Sequence, residues 1–165
     1  MRINLFIWSA VGLMLLGAGC LVNQPSSTTD NTISSTPPSS SVSNRLDLSS
    51  RGLKSVSLDI FNRIELEELD LSDNQLTGAL PAEIRHLQKL RVLDASGNQM
   101  TGVPAEIGQL SRLEELDLSD NQLTGLPLEL GNLHGLHRLD LSGNNISQQD
   151  LNTIRVGLTN TEIIE

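Results

Sequence analysis

Along residues 45–165 a short apolar–polar alternation returns at a nearly constant interval. Leu-x-Leu, with Ala95 in the second apolar place of one copy, begins at Leu46, Leu69, Leu93, Leu116 and Leu139, in steps of 23, 24, 23 and 23 residues. A period of two puts both apolar side chains on one face of a short strand and the intervening Asp on the other. Leu66, Leu90, Leu113 and Leu136 each stand three residues before a later start. The intervening segments are also regular: Leu76-Thr-Gly78-Ala-Leu80-Pro81, Met100-Thr-Gly102-Val103-Pro104 and Leu123-Thr-Gly125-Leu126-Pro127. Gly relaxes the backbone for a turn and Pro sets an extended or helix-entry geometry. The apolar positions that follow, spaced by three and four, predict a single short helical or 3-10 turn on the way back.

The sixth residue from the start of each of the four later copies is Asn74, Asn98, Asn121 or Asn144. The chain must turn sharply after each strand, and backbone groups buried in that turn need partners. An Asn side chain offers both donor and acceptor. Stacked in successive copies, the four predict a structural ladder. This pattern resembles the leucine-rich repeat family, whose period is 20–29 residues. The resemblance covers residues 45 to about 146 and mixes two repeat forms. The repeat from Leu69, with its extra Ala79, is similar to the 24-residue plant type; those from Leu93 and Leu116 are similar to the 23-residue type of signalling scaffolds. It implies an α/β solenoid: a short leucine-rich repeat arc with a parallel concave sheet, short helical or 3-10 return segments, and an Asn ladder.

The ends depart from the pattern. In the first copy Arg51 stands in the Asn place, Ser57 in the Pro place, and Arg63 where the others have Leu87, Leu110 and Leu133. Polar end repeats cap a solenoid. At the other end Ser147-Gln-Gln-Asp150 predicts a capping box opening a helix that Gly157 stops. Leu151, Ile154 and Leu158 give it one buried face, and Thr161 to Ile164 suggests a last short strand. Five repeats plus this C-terminal cap make residues 45–165 one repeat domain.

The first 44 residues have a different composition. Arg2 is followed by an apolar stretch from Leu5, small residues Gly17-Ala18-Gly19, and Cys20. This order predicts a signal peptide over residues 1–19. Leu16-Gly17-Ala18-Gly19-Cys20 resembles a bacterial lipobox, which implies lipidation of Cys20; Gly17 departs from the pattern. Leu21 after the Cys resembles outer-membrane sorting. The alternative is an N-terminal signal anchor, since Ile3 to Val22 is long enough to span a bilayer. Both place the rest of the chain outside the cytoplasm and on a membrane, as an exported protein of the cell envelope. Residues 20–44 predict a disordered stalk: within 23–44 there are eight Ser, four Thr and three Pro, too little apolar surface to offset the entropy of ordering.

Charge and composition narrow the function. Formal net charge is −9, from 20 acidic and 11 basic residues, which disfavours nucleic acid and anionic membrane surfaces. Residues flanking the strand leucines project from the concave face, where Glu68, Asp70, Asp73, Asp94, Glu115, Asp117, Asp120 and Asp140 concentrate negative charge beside Arg138. They form the candidate ligand-binding set, for another protein or a surface polymer of basic character. The plainer reading is that Asp and Ser order the turns. No Cys-based metal cluster is available to a chain with one Cys, Asp-x-Asp-x-Asp calcium spacing is absent, and His86, His134 and His137 read as solvated, so no metal or cofactor is expected. Catalytic signatures such as Gly-x-Ser-x-Gly and His-Glu-x-x-His are also missing. The expected function is a non-catalytic, membrane-tethered interaction module, the alternative a structural envelope lipoprotein without a discrete ligand, and an effector or enzyme the remaining reading. The sequence sets neither the ligand nor the oligomeric state.

Overall fold

The computed structural model describes residues 44–165. The expected signal peptide, lipidation site Cys20 and most of the stalk lie outside the described residues. In chain order the strands are β1 (Arg45–Asp47), β2 (Glu68–Asp70), β3 (Thr77–Gly78), β4 (Val92–Asp94), β5 (Gln99–Met100), β6 (Glu115–Asp117), β7 (Arg138–Asp140) and β8 (Glu162–Ile164), with one α-helix, α1 (Gln148–Arg155), before β8. Six strands form a parallel sheet in the order β1-β2-β4-β6-β7-β8. Its register aligns Leu46, Leu69, Leu93, Leu116, Leu139 and Ile163 in one row. The alternation read from sequence thus becomes one continuous apolar stack.

Opposite the sheet, each return segment makes a five-residue 3-10 turn: Leu58–Asn62, Ala82–His86, Ala105–Gln109 and Leu128–Asn132. Pro81, Pro104 and Pro127 cap the last three with φ between −58° and −71°, the value their rings impose. Ser57 adopts the same geometry in the first copy, at φ −66°. Phe61, Ile84, Ile107 and Leu130 project from these turns into the core, with Leu87, Leu110 and Leu133 beside them. Arg63, at that second position in the first copy, stays exposed. Each fully buried Leu or Ile contributes about 1.5–3 kcal/mol, so the aliphatic stack supports the fold with almost no aromatic residues.

Two features differ from expectation. A second sheet is present, β3 paired parallel with β5 through Thr77↔Gln99 and Gly78↔Met100. Helix α1 follows Ser147, but the Ser147 side chain makes no capping hydrogen bond. Asp150 instead accepts the Leu126 N–H from the preceding repeat at 3.2 Å, so the capping box serves packing between repeats. Gly157 is required by close approach: a Cβ there would stand 1.9 Å from the Gly131 carbonyl oxygen. Among the described residues no helix is long and apolar enough to cross a membrane.

Candidate functional site: the concave face

Two residues of each strand turn outward. Sheet register arranges them in columns, Arg45–Glu68–Val92–Glu115–Arg138–Glu162 and Asp47–Asp70–Asp94–Asp117–Asp140–Ile164. Eight carboxylates therefore face two guanidinium groups across the strands. Val92, Asp94, Glu115, Asp117 and Arg138 line a shallow depression in the middle of this face. The structure brings together Glu68, Asp70, Asp94, Glu115, Asp117, Arg138 and Asp140 from the expected set. Glu162 joins the first column through β8, a placement that required the terminal strand to pair with β7.

The Asp column is partly occupied by its own backbone. In every repeat Oδ1 of the strand Asp accepts the N–H of the Ser two residues on at 2.9–3.0 Å, and that Ser Oγ at 2.6–2.7 Å. One carboxylate oxygen thus closes each turn, and the other is left to the surface in Asp70, Asp94 and Asp117. At Asp47 the Ser49 hydroxyl and N–H hold the carboxyl below its usual value. Asp140 is nearly enclosed, and its Oδ2 takes Arg138 at 2.9 Å. Burial pushes this carboxyl up, but Ser142 Oγ, Arg138 and the Ser142 N–H outweigh it and leave it lowered. Arg138, raised in turn by its hydrogen bond to Asp140, is already engaged. Arg45 lies 3.4 Å from Glu68.

Asp73 and Asp120 belong to a different structural unit. They follow the strands, at φ 53° and 50°, in a column with Ser50, Gly97 and Gly143 where every residue is left-handed. Their first role is turn geometry, which Asp tolerates better than most side chains. Behind the turn, Asn74 Oδ1 accepts the Arg51 and Leu53 N–H groups, and Nδ2 donates to the Leu48, Leu71 and Ser72 carbonyls. Asn98, Asn121 and Asn144 repeat this, taking the Leu76, Met100 and Leu123 N–H groups at 3.0 Å each. Each Asn joins its own turn to the preceding repeat. Among the described residues no group of three His, Cys, Asp or Glu is arranged to hold a metal ion. His134 Nδ1 lies 3.2 Å from the Gly157 carbonyl.

A parallel sheet one strand per repeat wide, backed by 3-10 turns and tied by an Asn ladder, defines the class of leucine-rich repeat solenoids. The chain belongs to that family: the family model for a leucine-rich repeat region matches residues 27–159. Receptor-like protein 41 of Arabidopsis thaliana is 51% identical over 59 residues, which is 35% of this chain and 7% of that protein. A leucine-rich repeat protein of Leptospira interrogans is 40% identical with a TM-score of 0.65, over 68% of this chain and 28% of that one. The ectodomain of the receptor kinase SOBIR1 from Arabidopsis thaliana is 36% identical with a TM-score of 0.60, over 72% and 65% respectively. This chain therefore spans a small part of the first two relatives.

Proposed function

We propose that this protein is a non-catalytic, exported leucine-rich repeat module, held at a membrane through its N-terminus, that binds a basic segment of another protein or a surface polymer on its concave face. Leucine-rich repeat folds commonly mediate protein–protein interaction, as receptor ectodomains. The observation that carries the reading is the imbalance of the two outward columns, where both arginines sit in ion pairs with acidic neighbours. A surface of one sign speeds encounter with a partner of the other and fixes its register. The tether rests on the sequence Leu16-Gly17-Ala18-Gly19-Cys20.

Reversing Glu115 to Lys is the cleanest test, because Glu115 is exposed and, unlike the Asp column, closes no turn. The full chain bearing Glu115→Lys should lose a partner that the native chain retains in a pull-down, with the same melting temperature. A partner retained unchanged would refute the concave face as its binding surface, and envelope association unchanged with no partner captured by the native chain would favour a structural envelope role. For the tether, Cys20→Ala should shift the mass of the mature protein and release it from the membrane fraction; unchanged processing and fractionation would refute lipidation.

A further inference from the structure

A second surface lies on the flank of the solenoid, beside the residues that lead into the strands. Two columns run along it. Arg91, Glu114 and His137 are joined through the backbone, the Glu114 N–H donating to the Arg91 carbonyl at 2.8 Å and the His137 N–H to the Glu114 carbonyl at 2.7 Å. The neighbouring column is Glu65, Lys89, Arg112 and Gly135, one from each successive repeat. Three of these carry long charged side chains, and the fourth carries none. The gap leaves a broad, solvent-open cavity of about 410 Å³ at the surface, lined by Arg91, Ser111, Arg112, Glu114, Gly135 and His137.

Gly135 is not demanded by the backbone. Its φ is not in the left-handed region, and a Cβ would stand 3.5 Å from the Ser111 carbonyl oxygen, an ordinary contact. Gly108 and Gly157 differ, since a Cβ on either would collide with a carbonyl at 2.2 or 1.9 Å. What the glycine at 135 provides is open space.

The residues that line this space carry two guanidinium groups against one carboxylate. Arg91 grips Glu114 through Nε and Nη2 at 3.0 and 2.7 Å, and this hydrogen-bonded pair lowers Glu114 and raises Arg91. The cavity's one carboxylate is thus neutralised. Lys89 is paired with Glu65, outside the lining. Arg112 is exposed and, among the described residues, has no ion-pair partner, and the exposed His137 ring adds a second donor. A chain of net charge −9 here presents an uncompensated guanidinium.

We propose that this flank cavity binds a small oxyanion, a carboxylate or phosphate group of a ligand, with Arg112 as the charged donor, His137 as a second donor and Gly135 providing room. The site is separate from the concave face and does not depend on the function proposed for it.

The test uses the full chain, titrated with inorganic phosphate and, separately, with acetate, at constant ionic strength held with chloride. Side-chain NMR signals of Arg112 and His137 are followed. Saturable shifts at millimolar concentration are expected. Saturation by phosphate alone assigns a phosphoryl ligand, and saturation by acetate as well assigns a carboxylate. Arg112→Gln, an exposed substitution that leaves the core intact, should weaken binding about tenfold, as loss of one charge-assisted contact does. Gly135→Leu, checked for folding by circular dichroism, should do the same by filling the cavity. Shifts that never saturate with either anion, or that persist unchanged in Arg112→Gln, overturn the proposal.

Discussion

Oδ1 of Asp73 occupies the space beside Gly97: a Cβ on that glycine would stand 2.7 Å from the carboxylate oxygen. The relation recurs between Asp120 and Gly143, at 2.3 Å. An Asp in one turn leans over the next turn in the stack, which must then have no side chain. The alternation Asp73, Gly97, Asp120, Gly143 is the result.

Gly97→Ala therefore meets two costs. Its φ of +62° is left-handed, which costs an Ala about 1–2 kcal/mol, and the new methyl strikes Asp73. We expect a loss of about 2 kcal/mol or more in chemical denaturation. In the double variant Asp73→Ala with Gly97→Ala, the second cost disappears and the losses should sum to less than the separate values. Strict additivity would show that the carboxylate yields freely.

Asn98 is buried, accepts the Leu76 N–H and donates to the Leu71, Ala95 and Ser96 carbonyls. Asn98→Ala leaves those groups without a partner, at about 1–3 kcal/mol for each buried donor or acceptor stranded. Loss of about 3 kcal/mol in urea unfolding is expected, against little change for the exposed neighbour Gln99→Ala. Equal effects at the two positions would contradict the ladder's role.

Asp140 links stability to acidity. Its folded pKa lies below the ordinary 3.8, so its contribution is fully present above that value and is lost as pH falls through the lower folded pKa. Asp140→Asn should lower the melting temperature at about pH 6, and the gap to the native chain should narrow as the pH falls below 3.8 and through the lower folded pKa. A gap independent of pH would assign the effect to shape and not to charge.

Much of the architecture is legible in single residues. Leu69-Asp-Leu71 specifies a strand with one buried face, and its return at 23–24 residues specifies a stack of them. Asn74 and its equivalents mark where each strand turns. The second sheet was not legible, because Thr77–Gly78 and Gln99–Met100 are two residues long and carry no period. Nor was the redirection of Asp150 to Leu126, since a capping box and a contact between repeats use the same side chain. The flank cavity left only a faint trace, a Gly in a column of charged residues, visible once the columns are aligned.

By itself the sequence determined the repeat, its strands, its turns and the sign of its charge, because these follow from local spacing and from side-chain chemistry repeated in register. Only the tertiary structure decided which charges remain available. Asp140 and Arg138 cancel each other, one oxygen of every strand Asp is taken by the following Ser, and Asp73 and Asp120 are committed to turns. Glu115 and Arg112 remain open to a partner. That division depends on distances between neighbouring repeats, which stacking sets and sequence order does not.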